Sequence, residues 1–255
     1  MIIVLSPAKT LDFETPPVIR DHSHPDFLDE SKRLIARLRK LPASRLEELM
    51  SISPTLAKLN ADRFRSWNAP FSPDNAKQAA LAFAGDVYEG LDAGSLDESS
   101  LRWSQDRVRI LSGLYGVLRP LDLIQPYRLE MGTRFATERG ADLYRFWGER
   151  LALSLSKELS AHRYPVLVNL ASNEYFRAVP PRTLGLRVIQ PVFEERKAGG
   201  WKVVSFSAKR ARGSMTHYAI ERRVEDPDDL RAFDVDGYRF DAAASDPDTW
   251  VFRRD

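Results

Sequence analysis

The chain has 255 residues, a formal net charge of +2 and no cysteine. This length is enough for a single domain with a large hydrophobic core. The lack of cysteine excludes disulfides, thiol-based peroxide reduction, Cys-ligated iron–sulfur clusters and zinc ribbons. The first residues lack a basic segment, and no run approaches the roughly 20 apolar residues of a membrane span, so we expect a cytoplasmic protein.

The N-terminal hundred residues are predicted to be mostly helical after one strand. Residues 2–5 are all apolar, as in a buried strand. Ser6-Pro7 is typical of a helix start. Helical apolar spacing, a capping-box pattern and two Ser-Pro pairs predict helices beginning near residues 26, 44, 54 and 73, and an apolar run predicts a strand at residues 81–83.

The rest of the chain mixes predicted helices and strands in no regular alternation. The predicted helices cover residues 102–111, 142–159 and 207–223, and the predicted strands cover residues 127–135, 166–170, 186–194, 201–206, 238–240 and 250–252. No linker divides the sequence. We therefore predict an α+β fold, a single compact domain over residues 1–255 with a mixed β-sheet, surrounding helices and a helix-hairpin-helix-like element.

The small net charge results from oppositely charged blocks. Residues 195–223 contain eight basic and two acidic residues, whereas residues 224–255 contain ten acidic residues and four arginines. A basic stripe beside an acidic segment favours a polyanion-binding face. The alternative is a solvated surface on which the two blocks form salt bridges.

Ser6-Pro7-Ala8-Lys9 follows the first predicted strand. The Ser-x-x-Lys spacing occurs in penicillin-binding enzymes, but the Ser-Asp-Asn and Lys-Thr-Gly elements of that class are absent. A hydroxyl, free backbone N–H groups and a lysine at a strand end suit anion binding. Lys9, if partly buried, could also act as a nucleophile or base; the alternative is a capping serine and an exposed lysine.

Gly113-x-x-Gly116 follows a predicted helix. The spacing resembles the hairpin of a helix-hairpin-helix element, in which backbone N–H groups meet a phosphate, although two glycines three apart also suit a plain turn. Arg119 and Arg128 lie nearby in sequence and favour phosphate binding. Tyr115, between the glycines, is a candidate for positioning a base or sugar.

Two further segments are candidates for a binding site. Asn169, Ser172 and Glu174 follow a buried strand, where ligands often bind in sheet proteins, although helix capping explains them equally well. The densest basic run, residues 209–213, places Lys209 and Arg212 on one helix face and Arg210 on another.

Metal sites and cofactors are not predicted. Two of the four histidines lie in a polar, proline-flanked loop and the others, His162 and His217, are isolated. The acidic run at residues 234–237 fails as a calcium loop, because the positions that would supply its first and last ligands are alanines.

Seven ordered motifs resemble the bacterial YaaA family of peroxide-stress proteins over essentially the whole chain. They are Ser6-Pro-Ala-Lys-Thr10, Gly85-Asp-Val-Tyr88, Leu111-Ser-Gly-Leu-Tyr-Gly-Val-Leu-Arg-Pro120, Pro126-Tyr-Arg-Leu-Glu-Met131, Phe146-Trp147, Asn169-Leu-Ala-Ser172 with Glu174-Tyr175, and Ala208-Lys-Arg-Ala-Arg-Gly213. The resemblance implies a cytosolic protein that protects against hydrogen peroxide, lowers free iron and hence Fenton damage, and binds duplex DNA through a basic cleft. Ser207 departs from the family pattern, which often has an aromatic residue there.

Two functions remain open at this stage. The first is a DNA-binding stress protein whose phosphate-binding residues are Ser6, Lys9, Gly113, Tyr115, Gly116, Arg119, Arg128, Asn169, Ser172, Lys209 and Arg212. The second is an enzyme acting on a nucleotide, nucleoside or damaged base, glycosylase-like, with Lys9 as nucleophile or base and Glu174 as general acid or base. Convergence of Lys9 and Glu174 in one pocket near Asn169 would favour the enzyme.

Overall fold

The computed structural model describes residues 1–255 and is built on an eight-stranded mixed sheet. Its strands are β1 (Ile2–Leu5), β5 (Val108–Ser112), β6 (Gly116–Leu118), β8 (Val166–Asn169), β9 (Arg187–Lys197), β10 (Gly200–Lys202), β11 (Arg239–Phe240) and β12 (Thr249–Arg254). Two short pairs lie outside it: β2 (Thr10–Leu11) with β4 (Phe83–Ala84), and β3 (Lys77–Gln78) with β7 (Leu123–Ile124).

The centre of the sheet is parallel. The strand order is β11-β12-β9-β8-β1-β5-β6, and β5, β1, β8, β9 and β12 run in one direction. Strands β6, β10 and β11 each pair antiparallel to a neighbour. Leu5 of β1 lies opposite Ile110 of β5, and Ile3 lies opposite Val168 of β8. The carboxyl ends of these three strands therefore meet at one edge of the sheet.

Helices cover the sheet and enclose one continuous hydrophobic core. They are α1 (Leu28–Leu38), α2 (Ala43–Met50), α3 (Pro54–Ser66), α4 (Ala79–Ala82), α5 (Asp86–Leu91), α6 (Glu98–Ser104), α7 (Leu143–Trp147), α8 (Arg150–Leu159), α9 (Asn173–Phe176), α10 (Pro181–Leu184) and α11 (Ser205–Glu221), with four short 3₁₀ helices. None of these helices combines the length and apolarity needed to cross a bilayer.

The predicted α+β class with a mixed sheet is confirmed. Strand β1 and helices α1 and α11 form close to their predicted positions. Ser53 caps α3 by accepting the N–H of Leu56, and Asp142 caps α7 by accepting the N–H of Arg145. Local capping chemistry was therefore readable from the sequence.

Several predicted elements are wrong. The helix over residues 102–111 ends at Ser104, and the fully buried β5 follows it, because a short apolar run fits either structure and burial beside β1 favours the strand. The long helix from residue 142 breaks at Gly148, which has φ of 55°. No helix begins at Ser6 or near residue 73, and residues 127–135 form no strand. Two predicted strands are partly helical instead: residues 79–82 form α4, and residues 205–206 already belong to α11.

Helices α5 and α11 pack with almost no space between their backbones. A Cβ built on Gly213 of α11 would lie 1.8 Å from the Val87 carbonyl oxygen, and one built on Gly90 of α5 would lie 2.1 Å from the Arg210 carbonyl oxygen. Only glycine permits this approach at both positions. The contact holds α11 against the segment that follows β4.

Candidate functional site

The carboxyl ends of β1 and β8 are joined by side-chain hydrogen bonds. Ser6 follows β1, and its Oγ accepts the Ser172 N–H at 2.8 Å and lies 3.3 Å from the Ser172 Oγ. Tyr88 of α5 donates its hydroxyl to the Ser6 carbonyl oxygen at 2.9 Å. These predicted serines come together because parallel neighbouring strands end at the same level of the sheet.

Asn169 lies below this surface. Its side chain is almost fully buried, donates to Gln190 Oε1 at 2.6 Å and accepts the Ala171 N–H at 3.0 Å. Gln190 Nε2 in turn donates to the Asn169 carbonyl oxygen. Asn169 thus fixes the turn between β8 and α9, with its side chain buried.

Lys9 and Arg128 meet on a carboxylate that the sequence analysis did not single out. The Lys9 Nζ lies 3.4 Å from Glu130 Oε1, and the Arg128 Nη2 donates to the same oxygen at 2.9 Å. The second oxygen, Oε2, is buried and has no hydrogen-bond partner in the protein. Two thirds of the Lys9 side chain is exposed. Arg128 and Glu130 are two residues apart in one motif, and this spacing was the sequence signal that could have indicated their ion pair.

Glu174 does not contact Lys9. Its Oε1 accepts the Gly132 N–H at 2.9 Å. Glu174 and Glu130 line the same open cleft, which has a volume of about 610 Å³. The remaining lining residues come from α2, from Ser51 after it and from the loop after Glu130: Arg45, Glu48, Leu49, Met50, Ser51, Gly132, Thr133 and Arg134.

Lys209 of α11 lies close to the start of α5. The Lys209 Nζ is 3.6 Å from Asp86 Oδ2, at the first residue of α5. The segment before Asp86 pairs with the one after Lys9, because Thr10 lies opposite Ala84 in the β2–β4 ladder. Lys209 is therefore held near Lys9 through the start of α5.

Arg212 has no acceptor for its guanidinium group in the protein. Its Nε is buried without a hydrogen-bond partner, and no carboxylate lies within salt-bridge distance. Burial lowers the pKa of Arg212 from its ordinary value. We name Lys9, Arg128, Lys209 and Arg212 the cationic edge, and of these four Arg212 alone lacks a carboxylate partner.

Three other predicted residues lie in the core. Gly113 and Tyr115 lie in the turn between β5 and β6, and Gly116 begins β6, so the chain makes a β-hairpin here and the helix-hairpin-helix resemblance is not confirmed. The Trp147 Nε1 donates to the Gly113 carbonyl oxygen. Tyr115 is fully buried, and its hydroxyl accepts from Trp67 Nε1 at 3.0 Å. None of the three reaches a surface ligand.

Arg119 is also separate from the cationic edge. It follows β6, which runs back towards the amino ends of the parallel strands. Its guanidinium group donates to Asp122, Asp26 and the His24 carbonyl oxygen. Arg119 therefore holds the N-terminal segment against the sheet.

The basic and acidic blocks are partly paired with each other. Arg210 lies 3.8 Å from Asp236, and Arg196 lies 3.7 Å from Asp255. Arg254, from residues 224–255, contacts Glu195 of the basic block. Salt bridges between the two blocks, the alternative to a polyanion-binding face, therefore explain part of the basic segment. Arg212 takes no part in these salt bridges.

Comparison with known proteins gives a consistent result. A family model described as peroxide stress protein YaaA matches residues 1–244. The chain is 58% identical over 258 residues to UPF0246 protein azo1887 of Azoarcus sp. (strain BH72), covering 100% of this chain and 99% of that protein. UPF0246 proteins of Ralstonia nicotianae and Chromobacterium violaceum are 58% and 56% identical, each over 100% of this chain and 99% of the relative.

Proposed function

Because the chain belongs to the YaaA family of peroxide stress proteins, we propose that it protects the cell by binding duplex DNA along the cationic edge and limiting iron-dependent oxidative damage there. The lack of cysteine supports a mechanism other than thiol-based peroxide reduction. The proposal concerns the phosphate backbone, since cations on a surface recognise charge rather than base sequence.

The observation that carries the proposal is the unpaired guanidinium group of Arg212. A buried polar group without a partner is costly, and the cost is larger for a charge. Arginine presents its N–H donors in a planar fork that fits two phosphate oxygens at once. A bound phosphate would supply the acceptors that the protein itself does not supply to Arg212.

Two of the other cations of the edge remain exposed. Lys9 and Lys209 keep 66% and 52% of their side chains exposed, although each has a carboxylate neighbour. These carboxylates hold the cations in place without enclosing them. Ser6 and Ser172, at the strand ends below, add hydroxyl groups that can donate to phosphate oxygens.

The salt dependence of duplex binding tests the proposal. Four phosphate contacts, one for each cation of the edge, predict a slope of about −3.6 in a plot of log K against log salt concentration, so the affinity should fall roughly 150-fold between 50 and 200 mM salt. Fluorescence anisotropy of a labelled duplex gives this slope. The double variant Lys209→Ala/Arg212→Ala should reduce it to about −1.8.

The double variant Arg182→Ala/Arg239→Ala is the matched control. Both arginines are exposed and have no carboxylate partner, so this control removes the same net charge from outside the cationic edge. Its slope should stay within the error of the unmodified protein. An affinity that does not change with salt, or equal losses in the two double variants, would rule out the proposed binding edge.

A second candidate function is favoured by the carboxylates in the cleft. Glu130 and Glu174 line one cleft, and Lys9 lies beside Glu130. This arrangement suits acid–base chemistry on a nucleotide, nucleoside or damaged base, with Glu130 in place of Glu174 as the partner of Lys9. A panel of nucleosides and oxidised duplexes tests for base release, and borohydride trapping tests for a Schiff base at Lys9. No turnover on any substrate would remove this candidate.

A further inference from the structure

A pocket of about 320 Å³ lies where the parallel strands of the sheet begin. Strands β1, β5 and β8 run in one direction, so their amino ends meet at the edge opposite their carboxyl ends. The Ile3 N–H donates there to the Arg107 carbonyl oxygen at 2.7 Å. We call the cavity the amino-edge pocket. Its charged and polar lining residues are Asp106, Arg107, Arg109, Glu158, His162 and Arg163.

The three arginines of the amino-edge pocket differ in how their donors are used. Arg109 is almost fully buried, pairs with Glu158 and donates to two backbone carbonyl oxygens. The Arg107 side chain makes one hydrogen bond, at 3.3 Å to the half-exposed Glu225, and its Nε is buried without a partner. Arg163 is exposed and has no carboxylate within salt-bridge distance. Arg107 and Arg163 therefore carry donors that the protein does not use.

The charges around His162 are mostly positive. Its Nδ1 lies 3.3 Å from the Met1 amino nitrogen. Burial, this amino group and the guanidinium groups of Arg107 and Arg109 lower the pKa of His162 to about 4, against a smaller opposing effect of Asp106. The imidazole is therefore neutral at pH 7, because a further cation beside these arginines is unfavourable.

The balance of charge in the pocket favours an anion. Three guanidinium groups line it against two carboxylates, of which Glu158 is paired with Arg109 and Asp106 is exposed. Each guanidinium group has a planar fork that fits two oxygens of a phosphate or sulfate. An anion in the pocket would supply acceptors for the unused donors of Arg107 and Arg163.

We propose that the amino-edge pocket binds a small tetrahedral dianion, either free phosphate or the phosphate group of a small metabolite. Arg107 and Arg163 would hold its oxygens, and His162 would take up a proton and donate an N–H to it. The site is separate from the cationic edge, because Ser6 and Lys9 follow the carboxyl end of β1 and this pocket lies at the amino ends.

Isothermal titration calorimetry at pH 7 and low salt tests the site with two probes, inorganic phosphate and glycerol 3-phosphate. Saturable binding of one probe per chain is expected. Tighter binding of glycerol 3-phosphate would assign the site to a metabolite phosphate, and equal or weaker binding would assign it to free phosphate. Arg107→Gln and Arg163→Gln should each weaken binding by about 10- to 150-fold, since each removes charged hydrogen bonds.

Two variants separate binding from folding. Arg163 is exposed, so Arg163→Gln should keep the stability of the unmodified protein even if Arg107→Gln is less stable. Arg239→Gln is the matched control, because Arg239 is exposed, has no carboxylate partner and lies in β11, at the far edge of the sheet. It should bind both probes as the unmodified protein does.

The His162 imidazole gives a second readout, which a merely structural arginine would not move. Sulfate keeps both charges throughout a pH titration, and its binding should raise the pKa of His162 towards the ordinary value of about 6.5, because an anion favours the imidazolium form. Sulfate binding should therefore be tightest at low pH and weaken as the pH rises through the raised pKa. Proton NMR of the imidazole, assigned with His162→Gln, measures this change.

Three results would overturn the site: no binding of either phosphate probe, equal losses in Arg239→Gln and Arg163→Gln, or a pKa of His162 that sulfate does not change. Arg107→Gln should bind duplex DNA with the salt slope of the unmodified protein, so the cationic edge and this pocket are tested separately. A smaller slope in Arg107→Gln would also refute the proposal, because the pocket would then belong to a DNA-binding surface.

Discussion

Arg212→Gln is expected to weaken duplex DNA binding by about 1.5–3 kcal/mol, or roughly 10- to 150-fold, because hydrogen bonds to charged groups contribute about this much. Glutamine keeps much of the side-chain length and removes only the charge and the fork. Anisotropy titrations at a fixed low salt concentration measure the loss. Arg212→Lys should recover part of the affinity, since it restores the charge without the fork.

Thermal unfolding separates this binding role from a structural one. Arg212 is a partly buried charge with no partner in the protein, so its removal should leave the melting temperature unchanged or raise it. Arg210→Gln serves as the control within the same helix, because Arg210 projects elsewhere and pairs with Asp236. Equal affinity losses in the two variants, or a lower melting temperature in Arg212→Gln, would contradict the assignment.

Gly213→Ala is expected to lower the free energy of unfolding by more than about 3 kcal/mol, at the upper end of overpacking effects. The added Cβ would lie 1.8 Å from the Val87 carbonyl oxygen and 2.6 Å from the Leu91 amide nitrogen. Both are backbone atoms of α5, so neither can turn aside as a flexible side chain could. Urea unfolding followed by circular dichroism measures the change.

Gly94→Ala is the matched control for this substitution. A Cβ at Gly94 meets no atom within 4 Å, so its effect should stay within about 0.5 kcal/mol. In Gly213→Ala molecules that still fold, displacement of α11 from α5 should also move Lys209 away from Asp86. These folded molecules should therefore bind DNA more weakly. Equal stability of the two glycine variants would show that the helix contact is looser than the structure indicates.

The fold was predictable where local rules decide it. The apolar run of β1 and the caps at Ser53 and Asp142 are short-range patterns, and each forms as expected. The prediction failed at residues 108–112, where a short apolar run fits a helix or a strand equally well. Pairing with β1, distant in sequence, settles that choice.

The candidate site was predictable only in part. Ser6 and Ser172 were separate candidates in the sequence, and they meet because the strands that precede them are parallel neighbours. The spacing of Gly113 and Gly116 resembles that of a phosphate-binding hairpin, but in the structure both glycines lie in the core, at the connection between β5 and β6. Spacing alone could not distinguish a glycine that leaves room for a ligand from one that leaves room for another part of the chain.

The sequence by itself determined the family of this protein, its mixed α+β class and the motifs that supply the cationic edge. It also excluded thiol chemistry, because the chain has no cysteine. Only the tertiary structure decided which cation of the edge lacks a carboxylate partner. Ion pairing depends on residues far apart in the chain: Glu130 lies beside Lys9 and Asp86 beside Lys209, whereas Arg212 has no such neighbour.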